Sequence, residues 1–324
     1  MLRFLRPFVA SFLFLLTSAC FAGTLTVTSP TDGSFVGATN QLRFLVRQAS
    51  VEVTVRAQIT GPGGTTSVEG RFTPNAQGEI DNSLPLNFSS SNPEGTYTIV
   101  VTATEPGNTY NSVTLTVTLD ITKPRFLQFS PLPGSYVKGI VPISVLLDEP
   151  NVKEWRVQIN GQDIPNNTGT DSEFTVFWDT AGIELDGSQT ITVRVKDEAE
   201  NEETRTINVT LDRVQPVITI QYPRSVTPIR PRSTISVVVD VQDATATAVD
   251  VTGLDVIVQR LDGTFITRVA RTAVRSIGGN TVRWSGRIRW RSGLLPNQFK
   301  IVVTAIDRAG NLATPQEVIL TLGR

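Results

Sequence analysis

Leu295 to Asn311 reads LPNQFKIVVTAIDRAGN, and its pattern decides the fold. Phe299, Ile301, Val303 and Ala305 alternate with Lys300, Val302, Thr304 and Ile306, the period of two that an extended strand imposes. At Asp307 to Asn311 the alternation breaks into turn residues. Weaker copies stand upstream, PEGTYTIVVTATEPGN at Pro93 to Asn108 and DGSQTITVRVKDEAEN at Asp186 to Asn201. Each is followed by another alternating run that would pair back as a hairpin, so the chain predicts three similar units.

A second set of echoes sets the frame. Ser29-Pro30 and Ser130-Pro131 each open a Gly-Ser-aromatic-Val string, and Ile218 to Pro223 keeps only its first part. The spacings, Pro30 to Pro131 and Pro131 to Pro223, are far too long for solenoid repeats and suit whole sandwich domains. Later strands are expected at Gln41–Val46, Glu52–Ile59 and Leu84–Phe88 in the first unit, with counterparts in the second. In the third unit they are expected at Thr234–Val241, Leu254–Leu261 and Thr281–Arg289. Asn160-Gly161 and Asp262-Gly263 read as two-residue hairpin turns that need positive φ. Six or seven short strands per unit, with no sustained helical period, predict an all-β chain of two-sheet antiparallel sandwiches.

The 324 residues hold no histidine and one cysteine, Cys20. The commonest general base and metal ligand is therefore missing, and no serine or threonine has a histidine partner, so the expectation is a non-enzyme with no cofactor and no metal. The folded part has no disulfide and must be held by its cores. Charge is unevenly spread: residues 23–121 carry net −4, residues 122–212 net −7 and residues 213–324 net +8. A basic module follows two acidic ones.

Met1 to Ala22 has the pattern of a secretory signal, with Arg3 and Arg6 before the apolar run Phe8 to Leu16 and small residues at the exit. Leu16-Thr17-Ser18-Ala19-Cys20 also resembles a lipoprotein box, in which Cys20 would carry lipid and be the only link to a membrane. Either route exports the chain, to the periplasm, the cell surface or the exterior.

The joint Asp120-Ile121-Thr122-Lys123-Pro124 and the hairpin Ala305-Ile306-Asp307-Arg308-Ala309-Gly310-Asn311 resemble the Asp-x-Thr-x-Pro joint and Ala-x-Asp-x-Ala-Gly-Asn hairpin of the bacterial Ig-like domain superfamily. The resemblance implies three tandem Ig-like domains at 23–121, 122–214 and 215–324, joined as a semi-rigid rod by short linkers through Pro124 and Pro216. It implies roles ranging from adhesin stalk to sugar-binding accessory. The expected function is a non-catalytic adhesion or structural-interaction module of the cell envelope, with a carbohydrate- or anion-binding module as the alternative.

The candidate binding residues are Arg283, Arg287, Arg289 and Arg291. Strand alternation turns them to one face and Trp284, Ile288 and Trp290 to the other. Such a ladder suits an anionic glycan, lipid headgroups or an acidic protein, with Arg230, Arg232, Arg268, Arg271 and Arg275 in support, or else is a solvated outer face that keeps an edge strand from pairing with other chains. Nucleic acid is disfavoured because the aromatics face inward. The acidic turn Asp197 to Glu203 is expected to be a solvated tip, and Asp240, Asp243 and Asp250 to be loop carboxylates. The joints are read as lacking the Asp and Asn density that a shared ion needs.

Overall fold

The computed structural model describes residues 23–323 except 225–227, 230–233, 244–248 and 290–294. Met1 to Ala22, with Cys20, lies outside the described residues, as do Arg230, Arg232, Trp290 and Arg291. Among those described, no helix is long and apolar enough to cross a membrane.

The first sandwich uses β1 (Thr24–Ser29), β2 (Phe35–Val36), β3 (Gln41–Arg47), β4 (Val53–Gly61), β5 (Gly64–Phe72), β6 (Glu79–Pro85), β7 (Gly95–Glu105), β8 (Asn108–Thr109) and β9 (Val113–Leu119). One sheet runs β1-β3-β6 and the other β2-β9-β7-β4-β5, with β2 parallel to β9. The second repeats that plan with β10 (Phe126–Ser130), β11 (Tyr136–Val137), β12 (Ile140–Leu147), β13 (Val152–Ile159), β14 (Gln162–Gly169), β15 (Glu173–Asp179), β16 (Gly187–Asp197) and β17 (Glu202–Leu211). Its sheets are β10-β12-β15 and β11-β17-β16-β13-β14. The third has β18 (Val217–Tyr222), β19 (Thr234–Gln242), β20 (Val249–Gln259), β21 (Phe265–Arg268), β22 (Ala270–Gly278), β23 (Thr281–Arg289), β24 (Gln298–Asp307) and β25 (Gln316–Thr321).

The third departs from the plan in two ways. The short parallel strand shrinks to an Ile229–Leu322 bridge. The sheet β18-β19-β23 gains an edge strand, β22, while β21-β20-β24-β25 forms the opposite layer. The chain passes from one layer to the other at Val269, whose N–H donates to Val256 O at 2.8 Å.

Each sandwich encloses its own apolar core, built from the alternate residues of facing strands. β24 shows the rule: Phe299, Ile301 and Val303 are wholly buried while Lys300, Val302 and Thr304 are only partly so. Close packing puts glycine where an indole must lie flat on the sheet. A Cβ on Gly169 would come within 2.4 Å of Trp155, and one on Gly286 within 2.2 Å of Trp284. By compactness, the described residues through Lys123 form one unit that includes Glu198–Asn201, and the rest form a second.

Expected strands are found where one face is buried: β23 occupies its expected span, β3, β4 and β19 differ from theirs by one or two residues at their ends, and β20 begins five residues before the expected Leu254 and ends at Gln259. Leu84–Phe88 is not a strand throughout. The pairing strand is β6, ending at Pro85, and Leu86 and Phe88 fill the core from the loop beyond it, with Phe88 edge-on to Tyr97 at 5.1 Å. Asn160-Gly161 forms the expected turn, with φ of 50° and 76°. Asp262-Gly263 instead belongs to a three-residue loop. Arg260 and Thr264 close it, Gly263 alone takes positive φ, and the Asp262 carboxylate accepts from Thr264 N at 2.8 Å.

Candidate functional site

The turn that opened the sequence reading builds a joint. In Asp307–Asn311, Asp307 N donates to Asn311 O at 3.1 Å, and the Asp307 carboxylate accepts from Asn311 N and Nδ2, both at 2.7 Å. The turn holds its own shape through side chains, with Gly310 supplying a φ of 83°. Asn311 then reaches outside the turn. Its Nδ2 donates to Asp212 O at 2.9 Å, and its Oδ1 accepts from Lys138 Nζ at 3.0 Å. Both partners belong to the second sandwich or the linker leaving it, and Arg308 lies 5.8 Å from the Tyr136 ring centroid on the same sandwich.

Three carboxylates converge beneath this contact. Asp212 comes from the linker, Asp243 follows β19 and Asp307 ends β24, and one oxygen of each lies within 4.8 Å of the other two. They are 0%, 0% and 2% exposed. Burying one ionised carboxylate is costly, and burying three together requires hydrogen bonds, protonation or positive charge nearby. Three hard oxygen donors at this separation are also the chemistry that could hold a divalent cation. The sequence reading of the joint as poor in Asp is thereby corrected. The residues are far apart along the chain, and strand pairing brings them together. Asp243 is a loop carboxylate, just past the end of β19, but a buried one, whereas Asp240 is not in a loop at all but near the end of β19. The Asp250 side chain lies outside what is described.

The same devices recur within the other compact unit. Asn201 Nδ2 donates to Asp120 O at 3.0 Å, the counterpart of the Asn311 contact on Asp212. The Asp197–Glu203 turn is therefore not a wholly solvated tip: Asp197 is buried, and Glu202 pairs with Arg194. Each linker is also held from the sandwich before it. Glu94 accepts from Ile121 N at 2.9 Å and Thr122 Oγ1 at 2.7 Å, bonds that hold its carboxyl below the usual range. Asp186 accepts from Arg213 N at 2.8 Å and Nε at 2.6 Å. In the first sandwich the turn begins with Glu105, which accepts from the Ser50 hydroxyl at 2.9 Å and from Tyr110 at 3.1 Å. Burial and that carboxylate push the Tyr110 hydroxyl up to about 12.

The arginine ladder lies on β23, between β19 and β22. Trp284 and Ile288 are each 3% exposed, while Arg287 and Arg289 are exposed on the outer face, as alternation predicts. Arg283 differs: its Nε and Nη2 donate to the Asp240 carboxylate at 2.7 and 2.8 Å. That pair lowers the Asp240 carboxyl and raises the guanidinium. Arg283 is thus neutralised by the neighbouring strand, which spacing alone did not reveal. Arg291 lies outside the described residues. β22 adds Arg271 and Arg275, with Arg275 directly across from Arg283. Arg268 pairs with Asp255 at 2.7 Å. Among the described residues, Arg271, Arg275, Arg287 and Arg289 make no ion pair.

No protein-family model matches the chain, and no curated protein matches it by sequence. Solved structures similar to it include the fibronectin(III)-like modules of Clostridium thermocellum CbhA, at 14% identity over 61% of this chain and 93% of that one, with a TM-score of 0.40. Titin domains I67–I69 match at 10% identity over 93% and 98%, with a TM-score of 0.38. A Ca2+-stabilized adhesin with which an Antarctic bacterium binds ice matches at 18% identity over 94% and 74%, with a TM-score of 0.36. The fold assignment stands on the sheets and cores: the chain is a tandem of Ig-like, fibronectin type III-like β-sandwiches.

Proposed function

We propose that this tandem of Ig-like sandwiches, one each in 23–121, 122–214 and 215–324, is an exported, non-catalytic adhesion and structural-interaction module of the cell envelope. The observation that carries the reading is the Asn311 contact. The signature turn of the third sandwich, including its buried polar groups, is committed to the linker and sandwich before it. Residues committed to a joint serve to hold one sandwich on the next, which is the task of a module that positions a contact surface. The absence of histidine from the whole chain supports a role without acid-base chemistry.

The test is to express the full chain in a bacterial host and fractionate it. The reading expects protease-accessible protein at the envelope, a mature N-terminus at Cys20 bearing lipid or at Gly23, and binding of the cells to a surface they otherwise ignore. Retention in the cytoplasm with Met1 intact, or turnover in a hydrolase screen of the purified chain, would overturn it.

A further inference from the structure

We propose that the cleft beside the layer switch of the third sandwich binds an anionic glycan residue, a uronate or a sulfated sugar. This goes beyond the joint and does not depend on it. The cleft of about 530 Å³ is lined by Thr267, Arg268, Thr272, Arg287, Ile288 and Arg289, together with Ala270. It lies where the chain leaves β21 for β22, so its walls come from both layers. Its size is that of a small-ligand site.

Charge is the first argument. Arg287 and Arg289 stand two residues apart on one strand, roughly 7 Å, are exposed, and make no ion pair among the described residues. The third guanidinium, Arg268, is already held by Asp255, and among the described residues no carboxylate lines the cleft. Two paired-off donors would need no ligand; two open guanidiniums on one wall match an oxyanion.

Hydroxyl chemistry narrows the class. Thr272 Oγ1 donates to Ser285 O at 3.1 Å and Thr267 Oγ1 to Arg268 O at 3.4 Å. Both hydroxyl protons are thus directed at backbone carbonyls, which leaves the oxygens as acceptors. The cleft offers guanidinium donors for an oxyanion and hydroxyl acceptors for a ligand that also donates. An anionic sugar has both. A nucleic acid would want an exposed ring for stacking, and among the described residues no aromatic lines the cleft. An acidic protein would want a socket for an apolar or aromatic anchor, and among the described residues the apolar linings are Ala270 and the buried Ile288.

The experiment uses the full chain and three probes in buffer of moderate salt: a heparin-derived octasaccharide, poly-L-glutamate and single-stranded DNA. The expected result is octasaccharide binding that exceeds that of both other probes and weakens as salt rises. R287A with R289A should weaken it on the order of tenfold per arginine. T272V should lower octasaccharide affinity a few fold and leave poly-L-glutamate binding unchanged. R275A, outside the cleft, should have a smaller effect than either cleft arginine. Circular dichroism and the unfolding midpoint confirm that each variant is folded, and R287K with R289K keeps the charge if the alanine pair does not fold. Equal retention of all three probes, preference for poly-L-glutamate or DNA, or indifference to the arginine substitutions overturns the proposal. Failure of export in the host would sink the envelope reading and leave this one standing.

Discussion

The third sandwich and the linker that enters it treat their acids and bases in opposite ways. Asp212, Asp243 and Asp307 are drawn together out of water at one end, while Arg287 and Arg289 are left in water beside a cleft with no acid of their own. Like charges in water repel weakly, because solvent and salt screen them, so the arginines cost little and remain available to a ligand. Like charges in the interior repel strongly, so buried acids need donors or a compensating charge, and Asp307 takes two donors from Asn311. The difference separates a region that holds the molecule together from one that can meet another molecule.

The hardest blow to the joint is Asn311→Asp. It replaces the amide that donates to Asp212 and Asp307 with a fourth carboxylate in the same buried place. The expected loss is about 3 kcal/mol or more, read as the urea midpoint at neutral pH in chelator-treated buffer, and it should shrink on acidification as the carboxyl protonates. Asn311→Ala, which adds no charge, should cost about 1–3 kcal/mol; if the two variants are equal, the cluster's charge does not matter.

On the basic side the matching insult is Gly286→Val. Its Cβ would stand 2.2 Å from the Trp284 ring, so the indole must move or the strands part, at about 1–3 kcal/mol. A red shift of tryptophan emission should accompany the lower midpoint, and an unshifted spectrum would show that the indole is not displaced.

Asp240→Asn sharpens the contrast with the smallest change in stability. It releases Arg283 and should increase octasaccharide retention by adding one more open guanidinium to the face. Because Arg283 holds the Asp240 carboxyl below its ordinary value of 3.8, the pair's stabilisation is complete above that value and is lost as pH falls through the lower folded one. Unfolding midpoints measured from pH 5 down to pH 2 should therefore diverge most between wild type and D240N at the top of the range and converge at the bottom. Parallel curves would mean that the pair contributes nothing.

Strands with one buried face were legible because burial writes itself as alternation, as in β9 and β23. β5, β14 and β22 were not read as strands: their side chains are largely exposed on both faces, so polar residues are mixed in with the few apolar ones and little period of two survives. β22 matters most, since it creates one wall of the cleft and sets Arg275 against Arg283. The facing of Arg287 and Arg289 was readable for the same reason as the strands. The pairing of Arg283 with Asp240 was not, because cross-strand register joins residues 43 positions apart.

What the sequence determined by itself is the repeating, all-β character of the chain, the outward turn of the arginines and the lopsided charge, since each follows from local spacing or from counting. The tertiary structure alone decided which charges matter. It buried three acids under the turn Asp307–Asn311, spent Arg283 on its neighbour and left Arg287 and Arg289 open at a cleft. The physical reason is that the energy of a charge depends on its distance to other charges and to water, and those distances exist only after distant strands have paired.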